Sequence, residues 1–140
     1  MTFRHVLKST ILAVIGGLIY ILIELLWRGH THISMFILGC VCFVAIGLIN
    51  ELFPWELGIV WQSMIGAVIV TVCEFITGLV VNVWLGLNVW DYSNMPFNVM
   101  GQICLPFSLA WVVLSAIAIV LDDYLRYWMF GEEKPHYKLV

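Results

Sequence analysis

Glu24, Arg28, His30 and His32 fall in one segment, Glu-Leu-Leu-Trp-Arg-Gly-His-Thr-His at 24–32, where a long apolar run ends. On a helix, Glu24 and Arg28 form an i,i+4 ion pair in its favourable order. Two histidines two apart on a loop, joined by Glu24 or Glu74, have the imidazole and carboxylate chemistry of a zinc-type site. They equally suit a pH-responsive rim, since histidine titrates near neutral pH, or simply a solvated turn. Glu74 is the sharper signal, a lone carboxylate inside the apolar run 57–82. Placing such a group in a bilayer costs about 2.5–3.5 kcal/mol on insertion scales and marks a functional site by default. It reads either as a proton- or cation-binding acid lining a cavity or as a structural acid tying helices together. Arg28 is the nearest fixed cation for it, and the alternative for Arg28 is a headgroup anchor. With Asn82 and Asp91, these residues converge on one leaflet as an outward-facing polar pocket or pathway.

Membrane helices are the elements that must position these groups. The 140 residues are 63% hydrophobic and 11% charged, with seven Trp and eight Phe. Soluble domains run at about 45–50% apolar and about 25% charged. Apolar runs near or above about 18 residues predict an all-α integral membrane protein. Four transmembrane helices are expected at about 9–27, 33–49, 57–82 and 102–121, within a single domain of residues 1–140. An interfacial extension at 122–130 follows, ended by Gly131. The first run exceeds the usual 7–15 residues of a signal-peptide core and lacks a small-residue cleavage site, so it is read as a retained helix.

Each helix carries a stripe of small or polar residues, which lets backbones approach inside a bilayer. The stripes are Gly16, Gly17, Tyr20 and Glu24 on the first helix, and Gly39, Phe43, Gly47 and Asn50 on the second. On the third they are Ser63, Gly66, Ala67, Thr71 and Glu74, and on the fourth Ser108, Trp111, Ser115 and Asp122. Residues 84–101 hold too many turn formers for a helix and too much Trp, Phe and Met for a solvated loop. An interfacial or re-entrant segment fits both facts, with Asn98 as the expected N-cap of helix four. Pro54 and Trp55 mark a turn between helices two and three.

Four crossings place both termini on one side. Arg4, Lys8, Arg126, Lys134 and Lys138 then lie with the termini, and Arg28 alone lies opposite. The positive-inside rule puts both termini in the cytoplasm, in a cell membrane. A second polar cluster, Asn50-Glu51 with Asp122, Asp123 and Arg126, reads as a solvated helix end, with Asp122 at the inner mouth of a pathway as the alternative. The Trp and Tyr residues are accounted for by membrane belts. The four cysteines sit in apolar runs and suggest neither disulfides nor a zinc site. No cofactor motif, no phosphate-cradling glycine loop, no Gly-x-Ser-x-Gly and no His-Glu-x-x-His is present. A net charge of −3 gives no nucleic-acid signature.

Several motifs occur together: residues 24–32, Gly47-Leu-Ile-Asn-Glu51, Val89-Trp-Asp-Tyr-Ser93, Gly101-Gln-Ile-Cys-Leu105 and Gly131-Glu-Glu-Lys-Pro-His-Tyr-Lys138. Through them the chain resembles the CmpB-like ABC-transporter permease family of small bacterial membrane proteins. That resemblance implies an integral membrane protein engaged in transport, with a membrane partner or a separate ATPase subunit. Four helices enclose little volume, so a homo-oligomer embedded among membrane lipids is expected. The leading function is a transport or channel subunit. The alternatives are an intramembrane enzyme acting on a lipid or lipid-linked substrate, and a structural or regulatory subunit of a membrane complex.

Overall fold

The computed structural model describes residues 3–49, 57–135 and 137. Among them the chain is all-helical, with no strand: α1 is Phe3–Arg28, α2 Ile33–Gly47, α3 Ile59–Gly78 and α4 Leu105–Phe130. A π-helical turn, Leu79–Trp84, continues α3. Three spans of 26 residues, Phe3–Arg28, Ile59–Trp84 and Leu105–Phe130, are long and apolar enough to cross a membrane. At 1.5 Å per residue each reaches about 39 Å, beyond the roughly 30 Å hydrocarbon core. With 15 residues, α2 reaches only about 22 Å. Asn50, Glu51, Pro54 and Trp55, expected at a turn there, lie outside the described residues, as do His136 and Lys138.

Two helices depart from the expected bounds. α1 starts about two turns earlier, at Phe3, so Arg4 and Lys8 are helical rather than a lead segment. α4 starts at Leu105, three residues later than expected, and runs unbroken to Phe130, so residues 122–130 extend the same helix up to Gly131. The start is late because Val99 and Ile103 pair as an isolated antiparallel bridge just before it. Pro106 then occupies the first turn, where a missing N–H does no harm. Gly131 ends the helix at φ 66°, as its residue type demands.

The bundle is apolar outside and partly polar within. Gln62, Ser63, Glu74, Ser115 and Asp122 are each at most 2% exposed, while Leu18, Val68, Val113 and Ile117 are more than half exposed. A surface of this kind is satisfied by lipid, and buried polar groups then hold the helices together. α1 packs on α2 and α3 on α4, whereas α1 and α4 barely touch. Close approach of the first pair depends on glycine: a Cβ on Gly16 would overlap Phe43, and one on Gly39 would sit 2.8 Å from Tyr20.

Candidate functional site

Glu74 reaches the interior because it lies on the small and polar stripe of α3, between Ala67, Val70 and Gly78, all of which are buried. It is 1% exposed. Its Oε2 accepts from the Tyr92 hydroxyl at 3.2 Å and its Oε1 from Trp111 Nε1 at 3.3 Å. One carboxylate therefore ties α3 to α4 and to the segment between them. Burial, and then the Glu74 carboxylate, push the Tyr92 phenol well above its ordinary range, so it remains a donor. Tyr92 also stacks on Phe107 at 5.1 Å, and Trp111 meets Tyr20 of α1 at 6.0 Å. These aromatic residues act within the bundle, not as a membrane belt.

Arg28 does not serve Glu74. Its Nε donates to Glu24 at 2.5 Å and its Nη1 to the Val89 carbonyl at 2.9 Å. The four-residue helical spacing brings Glu24 closer than any group on α3, so the expected Arg28–Glu74 approach gives way to the local pair. Arg28 Nη2 is buried with no acceptor. Asn82 holds Val89 from the other side. Its Oδ1 accepts from Val89 N at 2.6 Å and Trp90 N at 3.4 Å, and its Nδ2 donates to Gln102 at 2.9 Å. Trp90 Nε1 in turn donates to the Gln102 carbonyl at 2.9 Å. An irregular segment is thus fixed by side chains, which supply the partners that no backbone ladder provides.

The remaining candidates lie apart. His32 caps α2: its Nδ1 accepts from Ser34 N at 3.1 Å and pairs with Ser34 Oγ at 2.9 Å. His30 is exposed. Among the described residues no group of three His, Cys, Asp or Glu side chains is placed to hold a metal ion. Asp91 is exposed and closes its own turn, accepting from Ser93 N and Ser93 Oγ. Those bonds hold its carboxyl below the usual range. Asn98 does not cap α4, whose N-cap is Cys104. Its side chain instead accepts from Gly101 N at 3.1 Å and donates to the Met95 carbonyl at 3.0 Å, because the chain must still turn before the helix starts.

Beside the Glu74 clamp is a cavity of about 330 Å³. Tyr20, Trp27, Trp90, Tyr92, Phe107 and Trp111 form its walls, and Glu24 and Arg28 stand in its lining. Tyr20, Ile23, Trp111 and Leu114 are shared with a narrower cavity of about 100 Å³ that extends along α1 to Gly16 and along α4 to Ser115. The wall residues Tyr20, Trp90, Tyr92 and Trp111 carry this site, and spacing alone singles out two of them, Tyr20 on the stripe of α1 and Trp111, one turn before Ser115, on that of α4.

The family profile described as "Putative ABC-transporter type IV" matches residues 8–134. The chain belongs to this family. The match runs through all four helices and, with the three membrane-length spans, makes this a membrane protein of a transporter family. Neither a curated protein nor a solved structure matches it.

This transporter-family chain has a second buried polar cluster at the opposite end of the bundle, where a solvated helix end was expected. Asp122 is 0% exposed, Asp123 6% and Arg126 7%. Arg126 Nε donates to Asp122 Oδ2 at 2.8 Å, and Tyr137 donates to Asp123 at 2.8 Å. Gly47 makes the burial possible, since a Cβ there would meet the Asp122 carboxyl at 2.7 Å. Asp122 Oδ1 has no hydrogen-bond partner. Lys8 and Glu132 pair nearby at 2.5 Å.

Proposed function

We propose that the chain is a membrane transport subunit whose solute passes by way of the aromatic cavity beside Glu24 and Arg28. The observation that carries this reading is that Tyr92 and Trp111, two walls of the cavity, are both held by Glu74. As a carboxylate, Glu74 accepts from both donors. A proton bound to it removes the charge that strengthens both bonds and adds an O–H donor, so the hold on both wall residues weakens. The charge on Glu74 is thereby tied to the shape of the cavity, which is what a proton- or cation-coupled transporter requires. Glu74 stands behind this wall, outside the cavity lining, and acts on it through Tyr92 and Trp111; intramembrane acids mark proton and ion pathways generally. Glu24 and Arg28 form the polar rim. Asn82 sets the position of the segment carrying Trp90, and His30, His32 and Asp91 lie on the outer loops.

In this reading residues 1–140 form one domain that crosses the cell membrane four times, with α2 as a short crossing. Both termini are cytoplasmic, because five of the six Lys and Arg residues lie with them. Residues 84–101 lie at the outer interface. Copies of the chain associate among membrane lipids, and the family supports a separate ATPase subunit as partner. The test is flux of protons or cations in proteoliposomes. Glu74→Gln should abolish coupled flux while the protein stays folded, and unchanged flux would remove Glu74 from the mechanism.

A further inference from the structure

The cavity and the narrower one below it form one slot whose shape and chemistry change along its length. At the Arg28 end it is broad, aromatic and bordered by an ion pair. Towards Gly16 it narrows and no charged side chain lines it. α1 and α4, the two helices that barely touch, form its sides and α2, from Leu38 to Ile46, its floor, while Ile23 and Ala110 on the sides are exposed. Twelve helical positions separate Arg28 from Gly16, about 18 Å at 1.5 Å per residue. That is close to the depth of one hydrocarbon leaflet, half of roughly 30 Å.

Resting on the cavity proposed above, we infer that this slot binds a membrane glycerophospholipid, with one acyl chain between α1 and α4 and the phosphate on Arg28. Arg28 Nη2 is a buried donor with no acceptor, an arrangement that is costly until an acceptor arrives. Guanidinium and phosphate match in charge and in their paired hydrogen-bond geometry. Glu24 holds Nε and the Val89 carbonyl holds Nη1, so Nη2 is the donor left for a phosphate oxygen once the guanidinium turns towards the cavity. Trp27, 76% exposed beside it, suits the headgroup level. A helix from a second copy could cover the apolar part, but its backbone groups are satisfied internally and bring no acceptor to Arg28. The proposal therefore commits to lipid and makes the transporter's substrate or obligatory ligand an amphipathic phosphate ester.

Native mass spectrometry of the full chain in detergent, titrated with phosphatidylglycerol, tests this. One lipid should bind per chain at saturation. Arg28→Ala should weaken that binding about tenfold, the effect of losing about 1.4 kcal/mol. Ala110→Trp, at an exposed position in the cavity lining, should block it without disturbing the core, and Val113→Trp, exposed on α4 and outside the lining, should leave it unchanged. Glycerol phosphate should fail to compete, and diacylglycerol should bind at least tenfold more weakly than phosphatidylglycerol. Three results would overturn the proposal: equal competition by glycerol phosphate, which makes this a free-phosphate site; equal binding of diacylglycerol with no effect of Arg28→Ala; or a dimer that Ala110→Trp prevents, with no saturable lipid. Binding is read without flux, so its failure and a failure of the transport proposal are distinguishable.

Discussion

Glu74 and Asp122 are the two most deeply buried acids among the described residues, at 1% and 0% exposure, and they are held in opposite ways. Glu74 is held by two neutral donors, a phenol and an indole, beside a cavity of about 330 Å³. Asp122 is held by a full countercharge, Arg126, and packed against Gly47. Neutral donors can re-pair when an acid changes its charge, and open space gives them room to do so. An ion pair closed in by backbone cannot follow such a change without losing the pair. In the transport proposal, this difference makes the Glu74 end the moving one and the Asp122 end the fixed one.

The largest effect should come from breaking the fixed end. Arg126→Met leaves Asp122 buried without its countercharge, and such a loss costs about 3–5 kcal/mol. Thermal unfolding in detergent should show it, and adding Asp122→Asn should restore more than half of the lost stability. If the single variant unfolds like the parent, the inner cluster is not a staple.

At the Glu74 end, Tyr92→Phe and Trp111→Phe each remove one donor to the carboxylate. Each should cost about 1.5–3 kcal/mol, as for hydrogen bonds to charged groups. The two together should cost more than the sum of the singles, because in each single variant the remaining donor can re-centre on the acid and in the double variant none remains. Strict additivity would argue for a rigid clamp like the one at Asp122.

His32→Ala should cost about 1 kcal/mol through loss of the α2 cap. His32→Asn should recover it, because asparagine also accepts from the Ser34 amide. Recovery by asparagine sharpens the comparison by leaving His32 out of the polar chemistry at the Glu74 end.

The smallest effect concerns Asp91. Its folded carboxyl lies below the ordinary range, so its contribution is present above about pH 3.9 and is lost as pH falls through the lowered value. Amide exchange at Ser93, taken relative to the intrinsic rate at each pH, should thus be unchanged between neutral pH and the ordinary aspartate range and should rise only below it. A rise nearer neutrality would mean that another group controls this turn.

Much of this was legible along the chain. The apolar runs mark the helices, and Glu74 stands out because nothing else in its run is charged. Glu24 and Arg28 pair because four residues is one helical turn. What spacing could not supply were the long-range partners. Tyr92 and Trp111 reach Glu74 from sequence separations of 18 and 37, and their residue types equally suit a membrane belt. Asp122 and Arg126 resemble a solvated helix end in one dimension, because the backbone that buries them comes from Gly47 on another helix. His32 caps α2, a role not expected of it, and Asn98, the expected cap of α4, does not cap it. A histidine is an uncommon cap, and an asparagine seven residues before Leu105 is needed earlier, to turn the chain.

The most direct measurement compares Glu74→Gln with Asp122→Asn for coupled proton or cation flux in matched proteoliposomes, normalised to folded protein. The expected result is flux lost in Glu74→Gln and retained in Asp122→Asn, with the unfolding temperature lowered more in the latter, which leaves Arg126 buried without its countercharge. Flux retained in Glu74→Gln and lost in Asp122→Asn would contradict the assignment and place the moving acid at the other end of the bundle.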